Sequence, residues 1–314
     1  MAAIEGFPHG GSKPYVELSP RRTGVILLNA HKTRSWRLEK MATTLIWLFL
    51  IVACILVVIP LVFMFTAAAM PARDILRMPY PWIPEGFYWQ NFWNGLRGPE
   101  GTFIFIRNAL NSLIVAGTVS AFTVLFSSLA GYGLAKFEFK GRTLVFMLIM
   151  ATMMIPFEAI MIPLYMVAMR MGLQDTYTGL ILPFLANAFG VFLMRQYLIT
   201  FPDEILDAAR IDGASEPRIF SRIVLPSSGS AVATLAILAF RSQWDSLLWP
   251  LLVVQSDEMK TIPLYITKFM AETHSDEGIM MAIAVMASIP MIVLFLTLSK
   301  YFINKDGLTS ATKG

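Results

Sequence analysis

The sequence predicts an all-α, polytopic membrane protein with six spanning helices. Three observations carry that prediction. First, the chain of 314 residues is unusually apolar. Counting Ala, Val, Ile, Leu, Met, Phe, Trp, Cys and Gly gives roughly 60%, against about 45–50% in soluble domains. Charged residues are 15% and the mean hydropathy is +0.62. Second, the apolar residues gather into six runs, each close to the ~20 residues that a spanning helix requires. Third, the Lys and Arg residues between those runs fall mostly on alternate sides. This composition excludes a disordered chain, which needs low hydrophobicity and high charge. It also argues against a soluble two-domain enzyme, whose core could not hide so much apolar side chain.

The first run is Thr43–Ala69, with no charge between Lys40 and Arg73. Ala67-Ala68-Ala69 resembles a signal cleavage region. A signal core, however, is about 7–15 residues long and lies near the N-terminus, so an uncleaved span is expected. The second run is Asn108–Ala135 and the third Thr143–Met169, the latter interrupted by Glu158, Pro156 and Pro163. The fourth is Thr178–Leu198, with Pro183 inside it. The fifth is Ser227–Gln255, containing Arg241 and Asp245, and the sixth is Gly278–Ser299. Proline is tolerated in spanning helices when neighbours satisfy the freed carbonyls. Lipid accepts no bare backbone polar group, so a helix bundle is expected. The expected organisation is an N-terminal tail (1–42), a six-span domain (43–303) and a C-terminal tail (304–314).

Several chemistries are not legible. The one cysteine, Cys54, lies in an apolar run, and His9, His31 and His274 have no metal-ligand spacing. No phosphate-binding loop is present. Gly131-Tyr132-Gly133 begins like a dinucleotide fingerprint, but Lys136 stands where the third glycine belongs. The chain is therefore expected to bind no cofactor and no metal itself. The net charge of +4 does not suggest nucleic acid.

Six spans place both termini on one side. That side, which includes the segment from Arg195 to Pro226, holds seventeen of the 25 Lys and Arg residues. The positive-inside bias makes it the cytoplasm. The first outside loop is rich in aromatics, among them Tyr80, Trp82, Trp89 and Trp93. They suit the headgroup region or a docking face for an extracytoplasmic partner.

The segment 200–226 reads as two short helices with a tight bend. Thr200 with Asp203 resembles a capping box, and Pro202 suits a helix start. Acidic residues fill the first turn. Gly213 stops the helix, and Ser215 can cap a second helix, Glu216–Leu225, which Pro226 ends. Ile219, Phe220, Ile223 and Val224 give that helix an apolar stripe.

Asp207-Ala208-Ala209, then Asp212-Gly213-Ala214, then Phe220, Ile223 and Leu225-Pro226, resemble the "EAA" loop of ABC importer permeases, with Asp207 where that family usually has Glu. Trp244-Asp245 and Trp249-Pro250-Leu251 resemble the W-N-x-x-x-W-P-L stretch of the carbohydrate, maltose-type class, with Asp245 replacing Asn. The ending from Gly307 to Gly314 is similar to that class's "GLTAGAVKG" terminus. The resemblance implies a six-helix type I ABC importer permease bundle like the smaller maltose permease. It implies a second homologous permease, a dimer of ATPase subunits that holds ATP and Mg, and an extracytoplasmic substrate-binding protein as partners. It further implies that Glu204, Asp207, Ala208, Ala209, Arg210, Asp212, Gly213 and Ala214 form the surface that docks on the ATPase.

Ionisable groups inside lipid usually face the bundle interior or a cavity. Arg241 and Asp245, four apart, can pair on one helix face. They are candidates either for a packing pair or for the solute pathway, together with Gln243, Trp244, Glu158 and Asn187. Two other classes compete. A stand-alone ion-coupled transporter could use Arg241, Asp245 and Glu158 as a relay, but no inverted repeat is visible. A polytopic membrane enzyme would need clustered His, Asp or Cys at one face.

Overall fold

In the computed structural model the described residues are 21–270 and 276–303. His9, His274 and the C-terminal ending motif lie outside them. The chain divides into two units, up to Leu61 and from Val62 onward. The first unit contains most of helix α1, Arg21–Ala68, which begins well before the apolar run itself. Along that run side chains such as Phe49 and Val57 are exposed.

The second unit is built around α2, Ile104–Lys136, which has no proline and no break. Its buried stripe, Asn108, Asn111, Ser112, Val115, Ala116, Val119, Ser120, Thr123 and Ser127, follows helical spacing. The stripe is small and polar because its neighbours approach closely and have carbonyls to satisfy.

The third run is not one helix. It forms α3, Arg142–Thr152, and α4, Phe157–Arg170, bent by 93° at Pro156. Pro163, by contrast, sits inside α4 without ending it. The fourth run is also broken, into α5, Tyr177–Phe184, and α6, Ala188–Ile199, at an angle of 43°. The carbonyls freed at that break find donors on α2, Thr123 Oγ1 to Phe184 O and Ser127 Oγ to Asn187 O, both at 3.4 Å. The break is tolerable in an apolar medium because of such donors.

After the short α7, Asp203–Ile211, comes α8, Glu216–Ser227, which turns by 81° into α9, Gly229–Trp244. The second loop helix ends at Ser227, one residue beyond the expected stop at Pro226. Residues Phe220–Val224 form a π turn in which Leu225 N–H reaches Phe220 O, and the helix continues through Pro226 to Ser227. The widened turn accommodates a ring that would collide with the preceding turn of an ordinary α-helix. The fifth run stops at Trp244 and resumes as a separate piece, α10, Leu248–Val253. The sixth is α11, Glu277–Leu298, with Pro290 inside. Among the described residues three helices are each long and apolar enough to cross a membrane, and as many as six spans result if each bent pair counts as one.

Candidate functional site

The loop between α6 and α9 is a packed knob. Its helix α7 starts at Pro202 with Asp203 and Glu204 in the first turn, near the positive end of the helix dipole. The expected capping box does not form. Thr200 Oγ1 donates back to Tyr197 O at 2.8 Å, and Asp203 turns instead to Lys136 of α2. Gly213 has φ of +78°, the left-handed conformation that glycine adopts at low cost, and makes the bend. Ser215 occupies the cap position of α8 but contributes no side-chain hydrogen bond there.

One face of the knob is apolar and buried. Leu206, Ile219, Phe220 and Val224 pack with Tyr132 of α2 and with Met194 and Leu198 of α6. The other face is open. Asp203, Glu204, Asp207, Ala208, Asp212 and Gly213 are exposed, and Ile211 is 86% exposed. Ala209 and Ala214 are half-buried beneath this surface. A polar network fixes the two helices relative to each other. Arg210 Nη1 donates to Asp207 Oδ1 and Arg210 Nε to Glu216 Oε1, both at 2.8 Å. Tyr132 OH donates to Glu216 Oε2 at 2.8 Å. Lys136 Nζ donates to Phe201 O at 2.6 Å and to Asp203 Oδ1 at 2.7 Å. The Arg210 guanidinium, helped by the Tyr132 hydroxyl, holds the Glu216 carboxyl below the usual carboxylate range. The hydrogen bonds of Arg210 to Glu216 and to Asp207 raise its own pKa.

The pathway candidates do not share one place. Arg241 Nε donates to Asp245 Oδ2 at 3.3 Å, and both side chains are exposed. With Leu238 and Ser242 they form an exposed stripe on α9. Gln243 and Trp244 point elsewhere. Both are buried, and Trp244 Nε1 donates to Ala287 O of α11 at 3.2 Å. Asn187 caps α6 by accepting from Gly190 N–H. It lines an open cavity of about 280 Å³ with Leu235, Leu238, Ala239 and Ser242 of α9. Glu158 is exposed in the first turn of α4. Among the described residues no group of three or more His, Cys, Asp or Glu is placed to hold a metal.

Sequence reasoning missed Tyr132, Lys136 and Glu216, which tie the knob to α2. It also missed Asn108, Asn111 and Ser112 at the far end of α2. On α2 the signal is a set of polar residues at helical spacing in an otherwise apolar run; Glu216 lies outside the apolar runs and carries no such signal.

The described residues of the second unit form broken helices packed on the unbroken α2, with a two-helix knob between the fourth and fifth runs. Residues 123–305 match the family described as "Binding-protein-dependent transport system inner membrane component". The chain is 39% identical over 210 residues to the arabinooligosaccharides transport system permease protein AraQ of Bacillus subtilis, covering 67% of this chain and 74% of that one. It is 33% identical over 271 residues to the sn-glycerol-3-phosphate transport system permease protein UgpE of Rhizobium meliloti, covering 85% and 95%. The fold is shared with a chain of a bacterial ABC transporter involved in the import of the acidic polysaccharide alginate. There the TM-score is 0.72 at 23% identity, covering 86% of this chain and 98% of that one. The protein belongs to the binding-protein-dependent transport family: it is a multi-pass inner-membrane permease subunit of an ABC importer. Membership supersedes the readings of a stand-alone transporter and of a membrane enzyme. A subunit of this kind works with a partner permease, an ATPase and a substrate-binding protein.

Proposed function

We propose that this subunit carries a carbohydrate or a related polyhydroxylated solute inward. It does so as one of two permeases, with both termini cytoplasmic and the knob seated on a separate ATPase. The solute class rests on the relatives, which are named for arabinooligosaccharide and glycerol-3-phosphate transport. The orientation rests on the unequal distribution of Lys and Arg. ATP and Mg²⁺ belong to the partner ATPase pair, whose closure moves the knob.

The observation that carries the docking assignment is the exposed face of α7. The small Ala208 there, with Ala209 and Ala214 half-buried beneath it, admits a neighbouring backbone, and Glu204, Asp207 and Asp212 offer carboxylates to its cationic or N–H donors. Arg210 and Gly213 hold that face in shape. On the pathway side, the exposed Arg241, Asp245, Asn187 and Glu158 are the candidates for lining the translocation route, while the buried Gln243 and Trp244 hold α9 against the bundle.

Two variants test the docking surface. Ala208→Trp places a bulky group on the exposed face, and Gly213→Pro forbids the positive φ of the bend. Each is expected to reduce co-purification of the ATPase about ten-fold, as loss of a central contact does, with membrane insertion retained. Undiminished association in both would overturn the assignment. The solute recovered with the co-expressed binding protein tests the substrate class, and an amino acid or a metal ion there would refute it.

A further inference from the structure

We propose that α2 is the rod through which displacement of the knob reaches the opposite end of the bundle, and that Tyr132, Lys136 and Asn111 are positioning residues that clamp its two ends. The inference rests on the reading of the knob as the ATPase-docking element.

At the knob end, the apolar contacts of Leu206, Ile219 and Phe220 are non-directional and would let the knob roll. Hydrogen bonds fix the angle. Lys136, whose side chain is only 4% exposed, reaches both the backbone before α7 and Asp203 in its first turn. A buried ammonium ion must be paired, so this anchor is costly to release. Tyr132, one turn earlier, holds Glu216 at the start of α8. The knob is thus gripped at both of its helices by two residues of one span. The docking carboxylate Asp207 is joined to Tyr132 through Arg210 and Glu216 alone.

At the other end of α2, Asn111 Nδ2 donates to Glu258 O at 2.7 Å and to Lys260 O at 2.9 Å. Its own Oδ1 accepts from Tyr177 OH at 2.6 Å. Ser112 Oγ accepts from Ile262 N–H at 2.8 Å. Together these side chains hold the loop that follows α10. Asn111 lies 21 residues from Tyr132, about 31 Å along the helix at ~1.5 Å per residue.

Between the clamps α2 runs without a break. The spans formed by α3–α4 and α5–α6 are bent at breaks, and α8 turns sharply into α9. A break absorbs movement as a hinge, whereas an unbroken helix delivers it. The paired clamps therefore make α2 the route between the ATPase side and the loop at 257–262.

The test uses the whole importer with its ATPase and its binding protein, the latter as purified from the expression host, in proteoliposomes. The readouts are ATPase co-purification, basal ATP hydrolysis, and the ratio by which the binding protein stimulates hydrolysis. Tyr132→Phe with Lys136→Met cuts the knob clamp, and Asn111→Leu cuts the far clamp. Each is expected to leave co-purification and basal hydrolysis unchanged and to lower the stimulation ratio about ten-fold. Lys136→Arg by itself, which keeps Tyr132 and a cation for Asp203, retains stimulation. The decisive comparison is the combined variant. Independent sites more than about 10 Å apart multiply their losses, whereas a rod cut at one end is already cut, so the combination is no worse than the worse single set. Multiplying losses, unchanged stimulation, or lost co-purification in the Tyr132/Lys136 variant would each overturn the proposal. Failure of the docking reading is separate, since it shows as retained association in Ala208→Trp.

Discussion

Replacing Gly131 by alanine tests how closely α2 and α6 are packed. An added Cβ at Gly131 would lie 2.7 Å from Met194 Cβ, 2.9 Å from Arg195 N and 3.0 Å from Met194 C. Two of these three are backbone atoms, so no side-chain rotation relieves them and the two helices must part. Overpacking of this kind costs about 1–3 kcal/mol. Against it stands the helix propensity gained on replacing glycine by alanine, about 1 kcal/mol. The net expectation is a loss of about 0–2 kcal/mol. Gly133, two residues on in the same helix, supplies the control, because a Cβ there meets nothing within 4 Å. Gly133→Ala keeps the propensity gain and is expected to be neutral or up to about 1 kcal/mol more stable. The propensity term cancels between the two variants, leaving a difference of about 1–3 kcal/mol set by packing alone. Chemical unfolding of the purified protein in one detergent, followed by circular dichroism, measures that difference. Equal stability of Gly131→Ala and Gly133→Ala would refute the close approach.

The loop that follows α4 gives a second prediction. Asp175 has φ of +53°, and its Oδ1 accepts from Gln255 N–H and Ser256 N–H at 3.0 Å. Burial pushes that carboxyl up, but the two backbone donors outweigh it and leave it below the usual range. Asp175→Ala is expected to cost about 1–3 kcal/mol, because it loses both acceptor contacts and keeps the left-handed strain. Asp175→Asn retains an acceptor and tolerates that conformation, so thermal unfolding should show a smaller loss. A third prediction concerns acid. The folded pKa of Glu216 is depressed, so its contribution is present above the ordinary value of about 4.5 and is lost as pH falls through the lower folded value. The protection factors of the knob amides, taken against intrinsic exchange at each pH, should fall over that interval in the native protein and should lose this change in Glu216→Gln. Lastly, the Arg241–Asp245 pair is largely exposed, so Asp245→Asn should change stability by less than about 1 kcal/mol. If the pair faces the route, the same variant alters binding-protein-stimulated ATP hydrolysis; unchanged hydrolysis would make it a packing pair.

The elements that were legible in the sequence are those set by local chemistry. Gly213 bends the knob because no side chain opposes its positive φ. Asp203 and Glu204 open α7 because the helix dipole favours them there. What the sequence left open depended on partners far along the chain. Pro156 breaks its run whereas Pro163 and Pro290 lie inside helices, and the three prolines look alike in sequence. Pro226 reads as a stop only if the preceding turn is an α turn, and the π turn at Phe220–Val224 removes that condition. Thr200 and Asp203 have capping-box spacing, yet Asp203 is claimed by Lys136, 67 residues away. The grouping of Gln243 and Trp244 with Arg241 and Asp245 treated neighbours in sequence as neighbours in space. Successive residues on a helix lie about 100° apart. Trp244 therefore turns to Ala287 while Asp245 stays on the face of Arg241, four residues back. The same periodicity, applied to polar rather than apolar residues, marks out Asn108, Asn111, Ser112, Ser120, Thr123 and Ser127 as one stripe of α2. A polar stripe through an apolar run has no lipid-facing explanation. It identifies the helix to which the carbonyls at 184, 187, 236, 258 and 260 are bound, and hence the span around which the others are assembled.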